Sequence, residues 1–207
     1  MDVPWASIIA GTTAVFSAVA TGGAWLAARR ANSTADAVAR IERERWHADL
    51  TPQFNVTIER GDGDRATLSV HLAGPLPLGH LDEVRVEVRQ SDDMDYTPRL
   101  AGGPTPEQAA AQVWGPLRFV PSSDGADANG QVIPGFPLRV GAGRPLALER
   151  TRSPLWWEGN DREARWRDNW LNKPMRLVLT CRRDGFAPWT VPYEVDVPQV
   201  PRVRTIG

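Results

Sequence analysis

Cysteine occurs once in these 207 residues, histidine three times, and lysine only as Lys173. The lone thiol, Cys181, excludes an intrachain disulfide and any zinc site built on several cysteines, and it fits a reducing compartment. Net charge is also nearly absent: 24 basic residues against 25 acidic ones leave −1. That removes a global pull toward nucleic acid or acidic substrates. There is no HExxH, no G-x-S-x-G, no Walker loop, and no serine in a nucleophile-elbow context. Neither a cofactor nor a metal is implied, and the near-exclusive use of arginine for basic residues reads as codon bias in a GC-rich genome.

Charge is wholly missing from Val3 to Ala28. At about 1.5 Å of helical rise per residue, the separation of Trp5 and Trp25 matches a hydrocarbon core of roughly 30 Å. Tryptophan is favoured at both membrane–water boundaries, and Arg29 and Arg30 close the run. A transmembrane helix over 3–28 follows. Arg29, Arg30, Arg40, Arg43 and Arg45 lie on its C-terminal side and only Met1 and Asp2 precede it. Basic residues are retained in the cytoplasm, so the N-terminus is expected outside and the remainder cytoplasmic. A secretory signal peptide is the competing reading, since Ala18-Val19-Ala20 resembles a cleavage site, but such peptides begin with a basic region. The run is rich in small residues, and insertion is expected to be only moderately favourable. Ala6, Ala10, Ala14, Ala18 and Gly22 recur every fourth position, a ridge along which a second helix could approach to form a homo-oligomer; an alanine-rich composition also produces such spacing by chance.

A juxtamembrane helix is expected over 29–51. Asn32 or Ser33 can cap it, with Asp36 as capping partner, and Thr51-Pro52 stops it. Asp36 with Arg40, and Glu42 with Arg45, are spaced for ion pairs worth only ~0.3 kcal/mol each. Ala35, Val38, Ile41 and Trp46 form a thin apolar stripe, suited to rest on the domain or on the bilayer surface. About 155 residues remain, enough for one domain with its own core.

After Pro52 the apolar period becomes two. Phe54, Val56 and Ile58 alternate with polar residues, the turn Gly61-Asp62-Gly63-Asp64 follows, and Leu68, Val70 and Leu72 form the mate strand. Val84, Val86 and Val88 mark a strand with one charged face. Weaker signals lie at Leu117 to Val120, Pro137 to Val140 and Leu146 to Arg150. Met175 to Cys181 and Trp189 to Val197 close the pattern around Asp184-Gly185, and Pro192 assigns the last strand to an edge or a bulge. Such short strands with one apolar face need two sheets to cover one another. The fold class expected over 52–197 is therefore mainly β, an antiparallel immunoglobulin-like β-sandwich, with a barrel as the alternative. Short helical insertions are expected near Thr105 to Gln112 and Asp161 to Leu171, and 198–207 reads as a flexible tail.

Among candidate sites, His47-Ala48-Asp49 and His80-Leu81-Asp82 place carboxylates near imidazoles, a pairing common on ordinary surfaces. Cys181 alternates with core residues and reads as an inert buried thiol. Asp127, Asn129 and Gly130 match part of a calcium loop, but Gly125 and Phe136 fall where oxygen donors are required, so tight turns explain the segment better. The tryptophans are more informative. Trp166 and Trp170 stand one helical turn apart with Arg162, Arg165 and Arg167 interleaved, either as a stacking platform or as the seam fixing a helix to the sandwich. Trp156 and Trp157, adjacent in a loop, are the better interaction candidates, together with Arg162 and Arg165.

The phrases at Arg40 to Phe54, Gln112 to Phe119, Asp124 to Gly130, Leu148 to Thr151 and Trp189 to Pro198 resemble those of uncharacterised actinobacterial single-pass membrane-anchored proteins with a C-terminal β domain. The resemblance implies the same layout and no activity, cofactor or catalytic residue. The leading functional reading is a membrane-tethered, non-enzymatic protein-interaction or scaffold module, with the lipid bilayer and a protein as its partners and no nucleic acid. An exported domain for saccharide or cell-wall contact, and an enzyme whose residues converge only in space, are the alternatives.

Overall fold

The computed structural model describes residues 35–90 and 103–198. The expected spanning segment, with Trp5, Trp25, Arg29, Arg30 and the ridge Ala10, Ala14, Ala18 and Gly22, lies outside them, as does the expected tail after Pro198. Among the described residues no helix is long and apolar enough to cross a membrane. The chain divides into two compact units, Met1–Asp49 and Leu50–Gly207.

Of the first unit, residues 35–49 form a helix, α1. Where the spacing offers Glu42 to Arg45, the structure pairs Arg45 with Asp49 at 4.0 Å, an exposed contact that adds little stability. Val38, Ile41 and Trp46 are each more than half exposed.

The second unit is mainly β. Its strands are β1 (Gln53–Arg60), β2 (Arg65–Gly74), β3 (His80–Val88), β4 (Leu117–Phe119), β5 (Val132–Arg139), β6 (Gly143–Arg150), β7 (Met175–Arg182) and β8 (Trp189–Val195). They form two antiparallel four-stranded sheets, ordered β1-β2-β6-β4 and β5-β3-β7-β8. Period-two alternation explains the pairing of faces: Leu68, Val70 and Leu72 of one sheet and Leu177, Leu179 and Cys181 of the other are fully buried in one shared core. Strand β3 breaks the alternation. Leu81 and Val84 are both buried, and the ladder to β5 shifts register between them. The bulge absorbs the extra residue and keeps both side chains inside. Opposite it, a Cβ on Gly135 would lie 2.0 Å from the Glu83 side chain, so any larger residue there would have to displace Glu83.

Proline guards both edges of the second sheet, with Pro134 and Pro137 in β5 and Pro192 in β8. A strand edge lacking these donors is a poor template for another chain. Tyr193 ties β8 to β1: its hydroxyl accepts from the Phe54 N–H at 3.0 Å and donates to the Phe54 carbonyl at 3.2 Å.

The long connection between β3 and β5 carries helix α2 (Pro106–Ala111) and then β4, which pairs in the opposite sheet. A capping box starts α2, the Thr105 hydroxyl accepting from the Gln108 N–H while the Gln108 amide oxygen accepts from the Thr105 N–H. Between β6 and β7 lies helix α3 (Arg162–Trp166), which runs on into a π turn over Arg167–Leu171.

Candidate functional site

Beside the sandwich core stands a second hydrophobic cluster made of Trp114, Trp166 and Trp170. Three segments deliver them. Trp114 follows α2, in an extended stretch ended by Gly115-Pro116, and its N–H donates to the Gln90 side-chain oxygen at 3.0 Å. Trp166 closes α3, and Trp170 lies in the π turn. Trp166 is completely buried, and the other two are over nine-tenths buried. Trp114 stands 5.5 Å from Trp166 and 5.3 Å from Trp170 between ring centroids, and Trp166 stands 5.7 Å from Trp170. Such aromatic pairs each add about 0.5–1.5 kcal/mol beyond the area they bury.

A polar chain fastens the cluster. The Trp166 indole donates to the Thr151 hydroxyl at 3.3 Å, which in turn donates to the Gly115 carbonyl at 2.5 Å. The Gln112 amide donates to the carbonyls of Val113 and Arg152 at 3.2 and 3.1 Å. Ser153 donates to the Glu163 carboxylate. Residues on both sides of the loop that follows β6 are thus fixed before it turns outward.

That loop carries Leu155, Trp156 and Trp157. Both tryptophans are half-buried and pack against the cluster, with Trp157 at 6.1 Å from Trp114 and 5.8 Å from Trp166. Adjacency in sequence does not force one of them away, because the turn after Pro154 lays both along the same aromatic surface. Leu155, between Pro154 and the pair, is 87% exposed. Arg165 is committed locally: its guanidinium lies 5.1 Å from the Trp157 ring centre, 3.2 Å from the Asp161 carboxylate, and donates to the Glu158 carbonyl at 2.6 Å. Arg162 pairs with Glu163 at 3.9 Å. Arg165 thus braces the tryptophan loop, whereas the Arg162 ion pair stays within α3.

On the far side of the cluster a cavity of about 150 Å³ is lined by Trp114, Trp170, Lys173, Met175 and Glu194 among others. The Lys173 ammonium lies 4.7 Å from the Trp170 ring centre. The Trp114 indole N–H is buried with no hydrogen-bond partner among the described residues.

The other candidates take structural roles. His80 and Asp82 approach to 3.3 Å, both about half exposed, and Asp82 also accepts from the Asp184 N–H at 2.7 Å. The His71 ring lies 3.1 Å from the Gly141 carbonyl. In the calcium-like loop, the Asp127 carboxylate accepts from the N–H groups of Gln131 and Val132 at 2.6 and 3.0 Å, and Asp124 accepts from that of Ala147 at 2.8 Å. The Asp127 carboxylate caps its own turn, and Asp124 ties the loop to β6. Among the described residues no three His, Cys, Asp or Glu side chains gather as a metal set. Burial pushes the Cys181 thiol up to about 12, far from a nucleophile's range.

Trp114 and Leu155 are the members that residue-by-residue reading passed over. The signal for Trp114 was available: Val113-Trp114 sits between a helix and a Gly-Pro turn, too apolar for an exposed linker. Leu155 follows the Ser-Pro turn directly. In class, this is a two-sheet antiparallel β domain with a tryptophan-rich annex. Searches against protein-family models, curated proteins and solved structures find no match for the chain.

Proposed function

We propose that this protein is a membrane-tethered, non-enzymatic interaction module. In this reading an N-terminal helix over 3–28 anchors it, as in the actinobacterial membrane-anchored proteins it resembles, the β domain lies on the cytoplasmic side, and the loop at Leu155 to Trp157 binds a protein partner. One observation supports the partner surface: a leucine 87% exposed directly precedes two half-buried tryptophans that pack against a cluster of buried indoles. Large aromatic side chains dominate binding hot spots, and a surface already rigid before binding loses little entropy on association. We further assign the domain to the immunoglobulin-like sandwiches. The order β1-β2-β6-β4 supports this as A-B-E-D, and β3-β7-β8 as C-F-G with β5 added beside β3. One departure is that the strand in the D position precedes β5 in the chain.

The partner surface is tested by proximity labelling from the full-length chain, comparing wild type with Leu155→Asp and Trp156→Ala. Neighbours lost in both variants while the melting temperature holds support the surface; an unchanged neighbour set overturns it. Reporters fused to the C-terminus test the tether, since activity only outside the cytoplasm would replace this reading with an exported binding domain.

A further inference from the structure

A cleft of about 270 Å³ opens at one end of the sandwich, where the β1–β2 turn, the end of β6 and the π turn meet. Arg60, Arg65, Arg150 and Arg167 line it, against Asp64 as the one carboxylate among its lining residues. The chain as a whole is slightly acidic, so this concentration of cations is local. Two of the four are partly engaged: Arg150 lies 3.8 Å from Asp64, and Arg60 donates to the Pro198 carbonyl at 3.0 Å. The side chains of Arg65 and Arg167 have no ion pair or hydrogen bond among the described residues. Glu149, opposite Arg65 in the β2–β6 ladder, is held by Arg118 at 2.6 Å. Gathering guanidinium groups around one concavity costs self-repulsion that an anion relieves, and their planar forks suit two-point contact with oxyanions. Ile58, Leu117 and Leu171 add an apolar wall.

We propose that this cleft binds a phosphoryl group carried on an organic body. Three surplus positive charges match a phosphomonoester, with its charge of about −1.5 to −2 near neutral pH, better than a single carboxylate. The apolar wall takes the carbon skeleton. The phosphate could arrive on a soluble metabolite or on a lipid headgroup, and the chemistry recognised is the same.

The test uses the full-length chain in phosphatidylcholine nanodiscs, titrated with inorganic pyrophosphate by calorimetry while hydrogen exchange maps the protected residues. Expected are binding, protection at residues 60–66 and 167–172, and a loss of affinity of at least about tenfold in Arg65→Gln/Arg167→Gln. Both side chains are exposed, so the double variant should keep its melting temperature. In a second arm, phosphatidic acid is placed in the nanodisc. Protection of the same residues there, removed by added pyrophosphate, identifies a headgroup site; pyrophosphate binding without lipid protection identifies a soluble ligand. No response in either arm, protection elsewhere, or binding that survives both substitutions overturns the proposal.

Discussion

Between the two sheets the buried side chains are mostly aliphatic and arrive every second residue, whereas the annex packs three tryptophans drawn from a post-helix stretch, a short helix and a π turn. The sandwich core is redundant: each strand contributes several inward positions, and neighbours share the burial. The annex has no such reserve. Its packing depends on single large rings and on one polar chain through Thr151. Regular sheets spread the energy of burial over many residues, and irregular segments concentrate it in a few.

Substitutions can break that contrast. Trp166→Ala should have the largest effect, about 4 kcal/mol lost in urea unfolding, since a completely buried ring with three aromatic neighbours leaves a cavity that cannot close. Leu148→Ala in the sandwich should cost about 3 kcal/mol. A Trp166→Ala loss under about 1 kcal/mol would mean the annex does not stabilise the domain. Next is Gly130→Ala, at roughly 2 kcal/mol: the glycine has φ of 68°, and the new Cβ would stand 2.1 Å from the Phe119 carbonyl oxygen. Its cost falls on the link between β4 and β5, where it meets the backbone of the core residue Phe119. Thr151→Val removes the acceptor of the Trp166 indole and should cost about 1 kcal/mol. Combined with Trp166→Phe it should be less than additive, because both act on one bond.

The thiol sharpens the comparison through pH. Cys181 has its value raised from an ordinary 9.0 to about 12 by burial in the sandwich core. In the unfolded chain the thiol loses its proton above pH 9, while in the folded chain it keeps it. Stability from this group is therefore intact below pH 9 and falls by roughly 1 kcal/mol per pH unit as pH rises toward 12. Cys181→Ala should flatten that part of the stability curve; an identical slope in the variant would contradict the assignment. Smallest is Arg165→Ala, about 0.5 kcal/mol, because its contacts to Asp161 and Trp157 are solvent-exposed.

The same contrast explains what was legible in the sequence. Val84, Val86 and Val88, or Leu177, Leu179 and Cys181, announce a buried strand face through spacing alone, and Pro192 marks an edge because a missing donor is a local property. Two antiparallel sheets with short helical insertions follow from such signals. The bulge between Leu81 and Val84 is less visible, since the phase slip spans only Asp82 and Glu83. Trp114 joins Trp166 and Trp170 only when chain segments far apart in sequence meet, and no periodicity encodes that meeting. Arg60, Arg65, Arg150 and Arg167 likewise occur singly along a nearly neutral chain, so their cleft exists only in the fold.

Hydroxyl-radical footprinting of the full-length chain, read residue by residue in intact cells and again after purification, tests most directly whether the annex is a buried pedestal with the partner-binding rim proposed above. Trp166 and Trp170 should resist oxidation in both samples, while Leu155, Trp156 and Trp157 should react after purification and be shielded in the cells. Equal oxidation of the pedestal and the rim, or a rim that reacts alike in both samples, would contradict the account.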